Sequence, residues 1–148
     1  MATTIISRAV RSRRGRRRGL ARERALVAVE VATGAMALSG GVLLISKPDG
    51  SLLRADLSAL ANSPFSDYRL PGLLLAVLVG GGFVGTALWQ TLGGPFAREL
   101  SVVAGAGIVV FEAVELVWLG FQPLEAVFAI VGVGAVALAW GLPGDRKR

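Results

Sequence analysis

The sequence predicts an all-α polytopic membrane protein, a four-transmembrane-helix bundle with a short helix in its first outer loop. Three observations carry this expectation. Apolar residues make up 53% of the 148-residue chain, more than the water-exposed surface of a soluble domain of this size accommodates. Four stretches approach the roughly 20 residues that cross a hydrocarbon core of about 30 Å. Basic residues collect at one end of those stretches.

The predicted spans cover residues 25–45, 70–92, 100–120 and 123–140, each bounded by charges, Gly or Pro. They form a transmembrane domain over residues 25–141. A basic leader, 1–24, precedes it and is expected to be disordered; a basic tail, 142–148, comes after it. The leader holds nine Arg against the single Glu23, so the rest of the chain is slightly acidic although the whole carries +6. The leader, Arg98 and Arg146-Lys147-Arg148 fall on one side, which the positive-inside rule assigns to the cytoplasm. On the other side Lys47, Arg54 and Arg69 are balanced by Asp49, Asp56 and Asp67. Both termini are therefore expected inside a bacterial inner (plasma) membrane. Trp89 and Trp140 at the inner ends and Tyr68 and Trp118 at the outer ends agree, since these side chains favour the headgroup level.

The outer connection, 46–69, opens with the turn signal Pro48-Asp49-Gly50. Ser51 as N-cap and Leu53, Leu57 and Leu60 at helical spacing predict a short helix over 51–61. Pro71 and Pro123 begin spans two and four, and Pro95 precedes span three, where a missing N–H costs nothing. Glu99 and Glu125 lie near helix starts, where a carboxylate suits the dipole.

In lipid, helices associate through close approach at small residues and through buried polar contacts. Gly81 and Gly85 in span two, with Gly132 and Gly134 in span four, are expected at internal helix contacts. A Gly81/Gly85 surface for a second copy is the alternative.

Ionisable groups inside spans are rare and usually functional. Glu30, Glu112 and Glu115 are the candidates here, forming with Glu125 a staircase of carboxylates if all share an interior face. Glu112 and Glu115, at i and i+3, are expected to emerge on one face and to share a proton, because burial and mutual repulsion both disfavour two charges. The spans contain no basic residue, so partners must come from their edges: Arg98 for Glu30, and Arg69 for Glu115 or Glu125. Thr33, Thr86 and Gln90 are further candidates for an interior polar network.

Arg13, Arg14, Arg16, Arg17 and Arg18 suit anionic lipid headgroups. A topology anchor explains them more simply than dedicated nucleic-acid binding does. The absence of Cys and His removes disulfides, thiolate nucleophiles, the usual zinc sites and the commonest proton-transfer side chain, so no cofactor, metal or catalytic residue is expected.

Residues 62–72 (Asn62-Ser63-Pro64-Phe65-Ser66-Asp67-Tyr68-Arg69-Leu70-Pro71-Gly72), with Glu115 and Gly120-Phe121-Gln122-Pro123, resemble a family of small four-pass integral membrane proteins of actinobacteria. The resemblance would cover residues 25–141, and it implies a fold and a bacterial inner membrane but no activity. Four short spans with Glu30 in the first also resemble small multidrug resistance transporters; the long outer connection and the paired Glu of span three depart from that pattern. The leading functional expectation is a non-enzymatic subunit or assembly protein, with a membrane-protein partner or homo-oligomer. The alternative is a proton-coupled small transporter or ion pathway using the intramembrane carboxylates.

Overall fold

A computed structural model describes residues 2–120 and 123–142, and every regular element among them is helical. Helix α1 spans Ala2–Ser46. Two 3₁₀ turns come next, Ser51–Leu53 and Leu57–Asn62. Helix α2 runs over Arg69–Thr91, α3 over Ala97–Leu119 and α4 over Pro123–Trp140. The segments Gly19–Ser46, Arg69–Thr91 and Ala97–Trp118 are long and apolar enough to cross a membrane, and Ala126–Trp140 is a shorter apolar helix. Val42, Val77, Leu78, Val103, Val117 and Ile130 are all more than half exposed. Such a belt of bare aliphatic side chains fits lipid and not water.

The helices form a ring in chain order: α1 touches α2 and α4, and α3 touches α2 and α4. Contact is densest within the pairs α1–α2 and α3–α4, so the bundle consists of two helical hairpins laid side by side. Glycine sets both pairings. A Cβ on Gly41 would lie 2.5 Å from the Gly72 carbonyl oxygen, and one on Gly34 would lie 3.1 Å from that of Gly80. In the second hairpin, Gly105 and Gly132 face each other so closely that a Cβ on either would stand 2.8 Å from the other's carbonyl oxygen. The backbones thus touch where no side chain intervenes, which is the source of packing attraction left once lipid removes the hydrophobic drive.

These contacts correct the expected packing residues. Gly81 and Gly85 are not at a helix contact: Gly81 is exposed, and a Cβ on Gly85 or Gly134 would meet nothing within 4 Å. Gly132 alone of the four lies at a close internal contact; Gly34, Gly41, Gly72, Gly80 and Gly105 supply the others. The displaced register has a local cause. The segment Leu75–Gly81 is a π turn, ending in the run Gly80-Gly81-Gly82. Its wider turn rotates the remainder of α2, so Gly80 faces α1, Gly81 faces outward, and Phe83, Thr86, Ala87 and Gln90 are buried.

Two further expectations change. The leader is not disordered: α1 continues through it without a break. Arg, Ala and Leu are good helix formers, and the leader only propagates a helix already nucleated by the span. Residues 51–61 do not make one helix, because Arg54 adopts a left-handed conformation (φ 56°) and divides the segment into the two 3₁₀ turns. Gly50, not Ser51, precedes the first turn, and the Asp56 carboxylate accepts from the Ser58 N–H at 2.8 Å to cap the second. This outer segment docks through Leu60, Leu44 and buried Tyr68, whose hydroxyl donates to the Asp56 carbonyl at 2.7 Å.

At the opposite, basic end, Trp89 Nε1 donates to the Pro95 carbonyl at 2.9 Å and shapes the α2–α3 connection. Arg22 Nη1 donates to the Gly141 carbonyl at 3.1 Å, tying α1 to the end of α4. The Arg98 guanidinium lies 5.9 Å from the centre of the Trp140 ring, tying α3 to α4.

Two measurements check this packing. Gly105→Leu or Gly132→Leu should each destabilise the bundle by about 1–3 kcal/mol in detergent unfolding, while Gly85→Leu should change it by less than about 0.5 kcal/mol; equal losses would contradict the assignment. The second concerns Tyr68, whose phenol is raised above its ordinary value of 10.0 by burial first and then by the Asp56 and Glu115 charges. Above pH 10 the unfolded chain releases this proton and the folded chain keeps it, so docking of the outer segment weakens as pH rises. Limited proteolysis of residues 51–62 should accelerate there in the wild type, and Tyr68→Phe should remove that pH dependence while costing about 1 kcal/mol at neutral pH.

Candidate functional site

Each helix buries one stripe at alternating four- and three-residue steps, the pattern of a helix facing a single interior. On α1 the stripe includes Leu26, Glu30, Thr33, Ala37 and Leu44; on α3 it is Ser101, Gly105, Ile108 and Glu112. The polar members of these stripes, with Thr86 and Gln90 of α2, converge between the two hairpins. Glu30 and Ser101 are 0% exposed, Thr33 1%, Gln90 7% and Thr86 8%.

Glu30 is the residue around which this cluster is organised. Neither carboxyl oxygen has a hydrogen-bond partner among the described residues, and neither does Gln90 Oε1. Ser101 lies within reach of the Glu30 carboxyl while its hydroxyl donates to the Ala97 carbonyl at 3.1 Å, and Thr86 donates to the Gly82 carbonyl at 2.7 Å. An ionised carboxylate enclosed without a counter-charge would cost several kcal/mol.

Arg98, the expected edge partner, is turned to Trp140 instead. The aromatic face at the basic end offers it a contact without drawing the guanidinium into the core. Arg69 is exposed at the start of α2, where its N–H is taken by Asp67 Oδ1 at 2.9 Å.

The other carboxylates do not continue a staircase on one face. Glu112 is buried at 5% exposure, on the same α3 stripe as Ser101 but about 16 Å further along the axis. Ile108 lies between them on that stripe and packs with Phe83 in the apolar core. Glu115 is half-buried at the edge of the bundle. It lines a lateral groove of about 380 Å³ near the outer end, between α2 and α3, with Phe65, Phe111 and Trp118. The Phe65 and Trp118 rings meet edge to face at 5.7 Å. The i, i+3 offset thus splits Glu112 and Glu115 between two environments. The side chains of Glu125, Arg13, Arg14, Arg16 and Arg18 lie outside the described part of the structure, while Arg17 is exposed.

Ser101 was not among the residues expected from sequence. The signal was present, because Ser101 is eleven residues before Glu112 and so shares its helical face. Among the described residues no group of Asp and Glu side chains is placed to hold a metal ion.

Compared with known proteins, the chain matches no family model, no curated protein and no solved structure.

Replacing Glu30 by Gln keeps the shape and removes the ionisable group. Thermal unfolding in mixed micelles should therefore show Glu30→Gln within about 1 kcal/mol of the wild type, and Glu30→Lys destabilised by about 3 kcal/mol or more. A Glu30→Gln variant as unstable as Glu30→Lys would mean that the carboxylate is ionised and paired.

Proposed function

We propose that this protein is a proton-coupled membrane carrier or ion pathway of the bacterial inner membrane, with Glu30 as its proton-binding group and both termini in the cytoplasm. One observation carries the reading: a fully enclosed carboxyl, with neither oxygen partnered among the described residues, at the interface of two separately packed hairpins. A structural carboxyl is ordinarily hydrogen-bonded across helices. A carboxyl kept without such bonds can gain and lose a proton as its surroundings change, and proton relays are one of the uses that intramembrane acids serve.

The architecture supports the same reading. Glycine contacts make α1–α2 and α3–α4 tight units, whereas looser contacts join the two units. A small rocking of one hairpin against the other would open Glu30 without breaking either pair, the kind of motion that moves access from one side of a site to the other. Glu112, on the far side of Ile108, provides a second acid near the loop end. No catalytic role is proposed for either.

A non-enzymatic subunit or assembly protein is the second reading, favoured by a different feature. Gly81, Gly82, Gly85 and Gly107 line an open cleft of about 600 Å³ between α2 and α3, facing lipid, and leave room for a neighbouring helix. A partner's basic side chain could not reach Glu30 through it, because Glu30 has no exposed surface.

Flux separates the two readings. In lipid vesicles under an imposed membrane potential, with a pH-sensitive dye inside, the wild-type protein should conduct or exchange protons and Glu30→Gln should fall to the rate of empty vesicles. Wild-type vesicles no faster than empty ones would leave the subunit reading.

A further inference from the structure

We infer that Glu30 exchanges its proton with the basic end of the bundle, through water held at Gln90, and that the way to the loop end is closed by Phe83 and Ile108. This rests on the reading of Glu30 as a proton site and adds the side and the route of access.

Depth along the bundle can be read from the glycine contacts. Gly34 lies against Gly80 and Val84, so one turn toward the basic end brings Glu30 level with Thr86, and one more brings Leu26 level with Gln90. Gln90 is thus about 5 Å nearer the basic end than Glu30. It is only 7% exposed, yet its amide oxygen has no partner among the described residues. A buried amide oxygen in that condition calls for a donor, and water is the donor that fits.

The space for that water is present. A cavity of about 230 Å³ opens at the basic end and is lined by Glu23, Gln90, Gly93, Ala97, Arg98 and Glu99. It has room for several waters and the polar walls they need. A second groove, between α1 and α2, also reaches Gln90 and shares Glu23 with the first, with Arg24 beside it. Gln90 therefore stands where both openings meet, one turn short of the carboxyl. Around it Glu23 and Glu99 are matched by Arg24 and by Arg98, which also contacts the Trp140 ring, so the openings are lined by charged groups that hold water. Water bound to the Gln90 amide oxygen gives the Glu30 proton an acceptor leading outward.

In the other direction the lining changes character. Beyond Thr33, the interior is filled by Phe83 at 1% exposure, Ile108 at 2% and Ala37 at 0%. These side chains offer water no hydrogen bond, so they act as the seal toward the loop end; Leu26 and Ala139 of the same core stand toward the basic end, where Gln90 is the polar group level with Leu26.

Infrared spectroscopy of the full chain in lipid vesicles tests the route. The protonated-acid carbonyl band that disappears in Glu30→Gln is followed after transfer into D₂O. The wild-type band should shift rapidly, and the shift should slow by about tenfold or more in Gln90→Leu, since exchange would then require a wider opening of the bundle. Ala97→Phe, which fills the cavity mouth and leaves Gln90 in place, should slow it as well and carries the test if Gln90→Leu does not fold. Wild-type rates in the folded variants would overturn the route. Absence of the band from the wild type would overturn the proton-site reading itself.

Discussion

The bundle depends on contact between bare backbones. Hydrocarbon gives apolar side chains no reason to leave it, so the helices are held where glycine lets main chains meet: Gly41 at Gly72, Gly34 at Gly80, and Gly105 at Gly132. Each of these contacts lies inside a hairpin. The consequence is a molecule made of two tight pairs, with the weaker boundary running between them. Polar side chains gather at that boundary because it is the interior that both pairs face, and because a side chain there is removed from lipid without being locked into a glycine seam.

The boundary is fastened differently at its two ends. At the basic end, Arg22 reaches the last turn of α4, Arg98 covers Trp140, and Trp89 holds the connection between the hairpins. These are contacts of long side chains at the membrane surface, individually modest and easily rearranged. Toward the loop end, large apolar side chains interlock in the core, and the docked outer segment packs on the α1–α2 pair through Tyr68 and Leu60 and reaches α3 through Phe65 and Trp118. An interlocked apolar core resists opening more than a set of surface contacts does. The less interlocked end of the boundary is thus the basic one, where Gln90 and its cavities lie.

Much of this is legible in the sequence. Hydropathy and span length place the outer end of α1 and both ends of the other three helices within a few residues, and Pro123 marks the start of α4. Glu30, Thr33, Thr86 and Gln90 stand out because polar residues in lipid-length helices need an interior. The direction each residue faces after the π turn is not legible. A steady helical period through α2 keeps Gly81 and Gly85 together on a packing face; one widened turn at Leu75–Gly81 takes both out of the helix contact and moves it to Gly80. Periodicity also does not distinguish a residue at the centre of a buried stripe from one at its edge, which is how Glu112 and Glu115 part. The leader departs from expectation for a different reason. Its charge argues against a packed core, but a helix continuing from a nucleated span needs no core of its own.

The same reasoning bears on why the polar cluster is incomplete. A bundle selected only for tight packing would place an apolar side chain at Glu30, since a carboxyl enclosed among groups that do not hydrogen-bond it gives up hydration for nothing in return. Ser101 and Thr86, the hydroxyls best placed to help, instead spend their protons on carbonyls within their own helices. Those local bonds let both side chains sit in an apolar interior, with Ser101 within reach of Glu30. On the proposed reading, the charge state of this carboxyl is tied to whether the hairpins are closed. Opening that admits water removes the penalty on the anion, and closing restores it. Proton release and hairpin separation would then be two expressions of one equilibrium, and anything that favoured one would favour the other.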